Sequence, residues 1–197
     1  MRSRRGKGAL RLPRATHGYT LLEVIFVVSL IAILSAIAVP ESLSAIDRIR
    51  VGAAVRHLAA RMAAARAQAV MRSATVALRF QDDPGGITFR LFVDGNGNGV
   101  RTADIVSGTD RPLDTSVSLS DLFPGVAIAV SGSAGTDPVR LGATNLLSFT
   151  PLGTATAGSI YVRGRDGSQF AVRILGATGR TRVQRYIESG RAWLDTF

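Results

Sequence analysis

The sequence contains no cysteine and only one lysine, Lys7, among its 197 residues. Without cysteine, the chain can form no disulfide, no thiolate metal site and no cysteine nucleophile. It also lacks the Gly-x-Ser-x-Gly, His-Glu-x-x-His and phosphate-loop motifs that mark common catalytic sites. Its two histidines, His17 and His57, are far apart and neither belongs to a catalytic pattern. We therefore expect no enzymatic activity.

Positive charge is concentrated at the N-terminus. Residues 1–18 are basic and show no periodicity, and six basic residues precede Gly18, so removal of that segment would lower the formal net charge from +10 to +4. The remaining chain would be only mildly basic. The high overall isoelectric point is therefore weak evidence for a nucleic-acid partner.

A nearly unbroken apolar run follows the basic segment. Residues 19–39 comprise 21 mostly apolar residues, enough to cross a hydrocarbon core of about 30 Å as a helix. Because basic residues flank only its front edge, we expect a cytoplasmic N-terminus and an external C-terminal domain. A secretory signal peptide is an alternative, since Ala36-Ile37-Ala38 resembles a cleavage site, although the run exceeds the usual apolar length of about 7–15 residues.

Helical periodicity continues beyond the apolar run. Apolar residues recur at helical spacing from Leu43 to Ala69 among regularly placed arginines, and alanine favours helix. We predict one helix from about residue 20 to about residue 72. Its first half spans the membrane, residues 40–72 form an amphipathic continuation, and Pro40 kinks it near the membrane surface.

Residues 73–197 have the alternation typical of strands. The segments "ATVALRF" and "ITFRLFVD" flank "QDDPGG" and predict a hairpin, while "RDGS" predicts a tight turn between two later strands. Further strands are predicted in "GVAIAV", "LLSFT", "SIYVRG", "QFAVRILG" and "TRVQRYI". The predicted fold class is α+β, with an antiparallel sheet packed on the amphipathic half of the helix.

The segment Gly18-Tyr19-Thr20-Leu21-Leu22-Glu23 resembles the processing motif of type IV pilin-like proteins. The resemblance implies cleavage by a prepilin peptidase after Gly18 and N-methylation of Tyr19, an aromatic departure from the usual phenylalanine. Glu23 would be the fifth mature residue and Pro40 the twenty-second, both matching the family pattern.

Glu23 is an acidic residue in an apolar segment. A charge in lipid costs about 2.5–3.5 kcal/mol on insertion scales and should have a partner. The resemblance implies that this partner is the α-amino group of the neighbouring subunit's first residue, Tyr19. Low dielectric strengthens the attraction and penalises a subunit out of register. Alternatively, Glu23 lies at the membrane interface and its side chain reaches water.

The C-terminal part resembles the GspH/FimT pseudopilin family through "VDGNGNGV", "GRTRV" and the Phe-x-Pro-x-Gly-Thr pattern of "SFTPLGT". The resemblance implies a minor pseudopilin, without catalytic residues, in the pseudopilus of a type II secretion system. Its expected partners are other pseudopilins or pilins, the prepilin peptidase and the assembly platform of the inner membrane. The protein would be anchored there with its β-rich domain in the periplasm.

The segment Asp94-Gly95-Asn96-Gly97-Asn98-Gly99 permits two interpretations. Acidic and amide residues at alternate positions resemble the opening of a calcium loop, with Asp94, Asn96, Asn98 and Asp104 as ligands. However, position twelve is Ile105 rather than glutamate, and a strand precedes the loop. Glycine and asparagine are equally typical of a plain hairpin turn. We expect no other cofactor.

Arginines near the C-terminus suggest a second function. On a strand, Arg180 and Arg182 lie on one face, whereas Arg185 faces away from them unless the strand is distorted. The segment resembles the Gly-Arg-x-Arg motif with which FimT-type pilins contact DNA, so Arg180, Arg182 and Arg185 are the candidate DNA-binding residues. Arg163, Arg165 and Arg173 are candidates for adjoining strands. A solvated surface explains the same pattern. DNA uptake in a type IV pilus is therefore one alternative, and a single-span anchored domain without a filament role is another.

Overall fold

The structure, a computed structural model, describes residues 18–130, 132, 135–187, 190 and 192–196. The chain divides into two compact units after Ser42. The predicted leader, residues 1–18, lies outside the described residues except for Gly18, and so does His17.

The first unit contains the apolar part of helix α1 (Leu21–Arg72), whose bounds confirm the predicted long helix. Residues 21–43 are all solvent-exposed. None of this apolar part is buried, and by length and composition the helix could cross a membrane. Pro40 lies inside α1 and can donate no backbone hydrogen bond. The kink expected at Pro40 stays a prediction.

The second unit begins at Leu43. Leu43, Ile46 and Ile49 follow the predicted helical period but remain at least 43% exposed. The buried face of α1 begins only at Val51 and continues at Ala54, Val55, Leu58, Met62, Ala65 and Ala69. The spacing of three and four residues keeps these side chains on one side of the helix.

Two antiparallel sheets pack with this part of α1, where we had predicted a single sheet. The first sheet has the order β3-β2-β1-β7, and β4 also pairs with β2. Its strands are β1 (Val76–Asp83), β2 (Gly86–Val93), β3 (Arg111–Pro112), β4 (Val117–Ser118) and β7 (Leu146–Phe149). Two short helices, α2 (Thr102–Ser107) and α3 (Leu119–Leu122), lie between its strands in the sequence.

The second sheet has the order β11-β10-β9-β8-β5, and β6 also pairs with β8. Its strands are β5 (Val126–Ile128), β6 (Val139–Arg140), β8 (Gly158–Gly164), β9 (Gln169–Leu175), β10 (Arg180–Ile187) and β11 (Ala192–Asp195). The inner faces of both sheets and the buried face of α1 form one apolar core that includes Leu58, Met62, Phe89 and Phe149. The α+β prediction is confirmed.

Both predicted turns are present at the positions that the sequence indicates. Asp83 pairs with Gly86, so the first hairpin turns through Pro84 and Gly85, and the strands extend into the segment predicted as linker. Between β8 and β9, the Gly164 N–H donates to the Ser168 carbonyl at 2.9 Å. Gly167 has φ +82° in that turn, a conformation in which glycine carries no Cβ penalty.

Candidate assembly segment and basic strand face

Thr20 caps the start of helix α1. The Glu23 backbone N–H donates to Thr20 Oγ1 at 3.2 Å, which places Thr20 at the N-cap and Glu23 at the third helical position. Thr-x-x-Glu is the sequence pattern of a capping box, a signal that our sequence analysis missed. An acidic side chain in the first turn is also favoured by the positive end of the helix dipole.

Tyr19 and Glu23 line one shallow depression on the surface of the first unit. Its volume is about 390 Å³, and Val24, Val27 and Val28 complete it. Tyr19 is 83% exposed, and Glu23 is also exposed. Both residues singled out for processing and assembly therefore lie on accessible surface beside an apolar helix.

The predicted arginine row spans three adjacent strands of the second sheet. Arg182 of β10 is directly opposite Arg173 of β9, and Arg173 is opposite Ser159 of β8. Directly opposed residues share a face, as do residues two apart along a strand. Arg180, Arg182, Arg173 and Arg163 therefore lie on one face, and all four are exposed. Arg165 is exposed in the turn after β8.

Arg185 lies on the opposite face, as the strand period predicts. It is opposite Phe170 of β9, and it lines a surface pocket with Arg48 of α1. Arg182 itself has an acidic neighbour, because its Nη1 lies 3.5 Å from Asp195 Oδ2. Both side chains are more than half exposed, so this ion pair contributes little to stability.

Gly153 and Gly179, one from each of two sequence motifs, both lie beside Arg66 of helix α1. Arg66 Nε donates to the Gly153 carbonyl at 3.2 Å. A Cβ at Gly179 would lie 2.5 Å from that same carbonyl oxygen and 3.2 Å from Arg66 Nε. The Phe-x-Pro-x-Gly and Gly-Arg-x-Arg segments thus contact one helical residue, which our sequence analysis had not singled out.

Arg61 of α1 forms an ion pair with Asp114. Asp114 Oδ1 also accepts the Leu91 N–H at 2.8 Å, which links the pair to strand β2. Burial and then the positive charge of Arg61 lower the pKa of nearby His57. His57 packs its ring 5.8 Å from that of Phe123. It therefore contributes to packing.

Backbone donors surround the Asp94 carboxylate. Its Oδ1 accepts from the N–H groups of Asn96 and Gly97, and its Oδ2 accepts from that of Gly99, all within 3.0 Å. Partial burial by itself would raise the Asp94 pKa, but these hydrogen bonds outweigh burial and hold the pKa below its ordinary value.

The other candidate calcium ligands lie in the same loop. Asn98 Nδ2 donates to Asp104 Oδ2 at 3.1 Å, so these two side chains contact each other. Within the described part of the chain, no group of three or more His, Cys, Asp or Glu side chains is arranged to hold a metal ion. The calcium interpretation stays a prediction.

An apolar membrane-length helix continuing into an amphipathic half that packs on antiparallel sheets is the architecture of a pilin-like protein. The family model described as "Type II transport protein GspH" matches residues 54–179. The model of the prokaryotic N-terminal methylation motif matches residues 13–39. The chain therefore belongs to the GspH family of pilin-like proteins, a class of structural subunits.

A curated relative, "Pilin-like protein PilA1" of Thermus thermophilus, is 38% identical over 83 residues. That alignment covers 42% of this chain and 51% of the relative. The chain thus spans about half the length of the curated protein it matches. No solved structure gives a significant match.

Proposed function

We propose that the chain is a minor pseudopilin of a type II secretion pseudopilus. Membership of the GspH family carries the proposal, and the N-terminal methylation motif at residues 13–39 supports it. In this proposal, a prepilin peptidase cuts after Gly18 and Tyr19 becomes the methylated N-terminus. The subunit stays anchored in the inner membrane until the assembly platform adds it to a periplasmic filament of pseudopilins.

The Glu23 carboxylate would pair with the Tyr19 amine of the neighbouring subunit. Two features support this pairing: Glu23 is exposed on an apolar helix, and it shares a surface depression with Tyr19. A carboxylate in lipid gains strongly from a cationic partner. The Thr20 cap orders the backbone of the first turn of α1, from which the Glu23 side chain extends.

Processing is tested by mass spectrometry of the mature protein from its native host. We expect a chain that begins at N-methylated Tyr19. A chain that begins at Val39 would show that a signal peptidase had removed the apolar segment. Either that result or an uncut leader would overturn the proposal.

Assembly is tested with Glu23→Gln, which keeps the size of the side chain and removes its charge. We expect a variant that is cleaved and membrane-bound but fails to co-purify with other pseudopilins. Glu41→Gln is the matched control, because Glu41 is an exposed acid on the same helix, and it should assemble normally. Normal assembly of Glu23→Gln would remove the charge-pairing step.

The filament type is tested in a deletion strain. Loss of protein secretion with intact DNA uptake supports the secretion pseudopilus. The opposite result would favour a FimT-like minor pilin of a type IV pilus. A strain with normal secretion, pili and DNA uptake would favour an anchored domain without a filament role.

The exposed row of Arg180, Arg182, Arg173 and Arg163 is the observation that favours DNA as a second candidate. Guanidinium groups on one face would contact phosphates, and affinity would fall steeply with salt. The test is duplex binding by the full-length protein in nanodiscs of zwitterionic lipid. Arg180→Gln/Arg182→Gln should abolish binding, whereas Arg185→Gln, on the other face, should retain it. Absence of binding at low salt would remove this candidate.

A further inference from the structure

The outer face of the first sheet brings two arginines together. Arg79 of β1 is directly opposite Arg90 of β2, and both side chains are half-buried. Like charges at directly opposed positions destabilise an antiparallel pair. An anion bound between the two guanidinium groups would reduce this repulsion.

Two acids lie nearby, and among the described residues neither forms an ion pair with Arg79 or Arg90. Asp83 Oδ2 accepts from Thr88 Oγ1 at 2.6 Å, and the Asp114 carboxylate pairs with Arg61. Among the described residues, the Arg79 side chain has no hydrogen bond or ion pair.

Arg90 is held in place beside Arg79. Its Nε donates to the Asp114 carbonyl at 2.7 Å, and its guanidinium lies 5.7 Å from the centre of the Phe92 ring. The Nε bond fixes the plane of the guanidinium and leaves its two terminal nitrogens to donate hydrogen bonds to a ligand. This preorganisation is suited to planar, two-point recognition of an oxyanion.

The loop of residues 94–110 places Ile105 beside the two arginines. Asp110 is 1% exposed, and its two oxygens accept the N–H groups of Gly95 and Arg101 at 3.0 and 2.9 Å. Val100 and Ile105, carried by this loop, pack on Phe92 in a small second apolar cluster. The loop that resembles a calcium motif thus has a structural role at this face.

These elements enclose a pocket of about 460 Å³. Arg79 and Arg90 line it together with the hydroxyl residues Thr88 and Ser116 and the apolar side chains of Phe92 and Ile105. We propose that this pocket binds a carboxylate carried on an apolar body. The carboxylate would bridge the two guanidinium groups, and the apolar body would contact Phe92 and Ile105.

Two features favour a carboxylate over inorganic phosphate. Asp83 also lines the pocket, and its charge disfavours a ligand with a second negative charge. The apolar wall offers nothing to a small, fully hydrated anion, whereas it gains from an alkyl group. The proposal is independent of filament assembly, since all of these residues belong to the second compact unit.

The test is equilibrium dialysis of radiolabelled 4-methylpentanoate against the full-length protein in nanodiscs of zwitterionic lipid. Empty nanodiscs give the lipid background. We expect saturable binding of one ligand per chain, with no competition by the uncharged 4-methylpentanamide. Failure to bind, or equal competition by the amide, would overturn the proposal. Inorganic phosphate that competes as well as 4-methylpentanoate would overturn the choice of a carboxylate.

The residues are tested with Arg79→Gln, which removes a charge without removing a described hydrogen bond. Because charge-assisted hydrogen bonds are the strong ones, we expect its affinity to fall about tenfold or more. Arg90→Gln should have a similar effect, with its melting temperature as a check on folding. Arg163→Gln, on the second sheet, is the control and should bind normally. Unchanged affinity in Arg79→Gln would overturn the proposal.

A final comparison identifies the source of the carboxylate. Acetyl-Gly-Leu with a free C-terminal carboxylate and the same dipeptide as its amide are used as competitors. Competition by the free dipeptide alone supports recognition of a protein chain end. Competition by neither supports a small free carboxylate, and competition by both would contradict recognition through charge.

Discussion

The Nε of Arg66 donates a 3.2 Å hydrogen bond to the carbonyl oxygen of Gly153. Both Gly153 and Gly179 have positive φ, +81° and +59°, and a Cβ at either would approach the Arg66 guanidinium within 3.2 Å. One helical side chain thus joins two turns of the β domain to α1. The glycines are required there by close approach as well as by backbone conformation.

Gly179→Ala should destabilise the protein by about 2–3 kcal/mol. The new methyl group would clash with a backbone oxygen, and alanine would also have to adopt the left-handed φ. Gly167→Ala is the matched control. Gly167 also has positive φ, but a methyl group there would meet no heavy atom within 4 Å, so only the conformational cost of about 1–2 kcal/mol applies. Thermal and denaturant unfolding of both variants measures the difference. Equal losses would contradict the close approach of Gly179 to the Gly153 carbonyl oxygen.

Asp114→Ala should destabilise the protein more than Arg61→Ala. Removal of Asp114 leaves both the Arg61 guanidinium and the Leu91 N–H without their acceptor, at a cost of about 2–4 kcal/mol. Removal of Arg61 leaves a carboxylate that keeps its bond from Leu91. A double-mutant cycle in urea should give a coupling energy of about 1–2 kcal/mol between the two residues. A coupling near zero would show that their contact is incidental.

Asp94 should make stability depend on pH in the acid range. Its folded-state pKa is lowered from 3.8, so the unfolded chain binds the proton more readily than the folded chain. The stabilisation is therefore fully present above about pH 4 and is lost as pH falls through the folded pKa. Melting temperatures from pH 5 to pH 2 should fall less steeply in Asp94→Asn than in the wild type. Parallel curves would contradict the prediction.

Calcium should leave the melting temperature unchanged if the loop of Asp94 is a plain turn. Three backbone N–H groups already bond to Asp94, and Asn98 bonds to Asp104, so protein donors order the loop. A calcium loop would instead give a rise in melting temperature that EDTA reverses and that Asp94→Asn abolishes. Melting in calcium and in EDTA separates the two interpretations.

The helix and the main strands were predictable because their signals are local. The 3.6-residue period predicted α1 to within one residue of its start, and β-alternation predicted β1, β2, β5 and the four strands from β7 to β10. The short strands β3, β4, β6 and β11 and the helices α2 and α3 were missed. Each has at most six residues, and β3, β4 and β6 have only two, too few for a period to emerge.

Burial along α1 shows a different limit of sequence reasoning. Leu43, Ile46 and Ile49 continue the apolar period, yet the sheets cover the helix only from Val51 onward. Periodicity identifies the apolar side of a helix but contains no information about how far a distant part of the chain extends over it.

The sequence by itself determined the apolar span, the position of Glu23 and the α+β class, because these depend on composition and local spacing. It also predicts the processing junction between Gly18 and Tyr19. Only the tertiary structure decided that Arg66 joins two glycine turns and that Arg79 lies opposite Arg90. Those contacts depend on strand register and on packing between residues distant in sequence. A one-residue change of register would move either arginine of the opposed pair to the other face of its sheet.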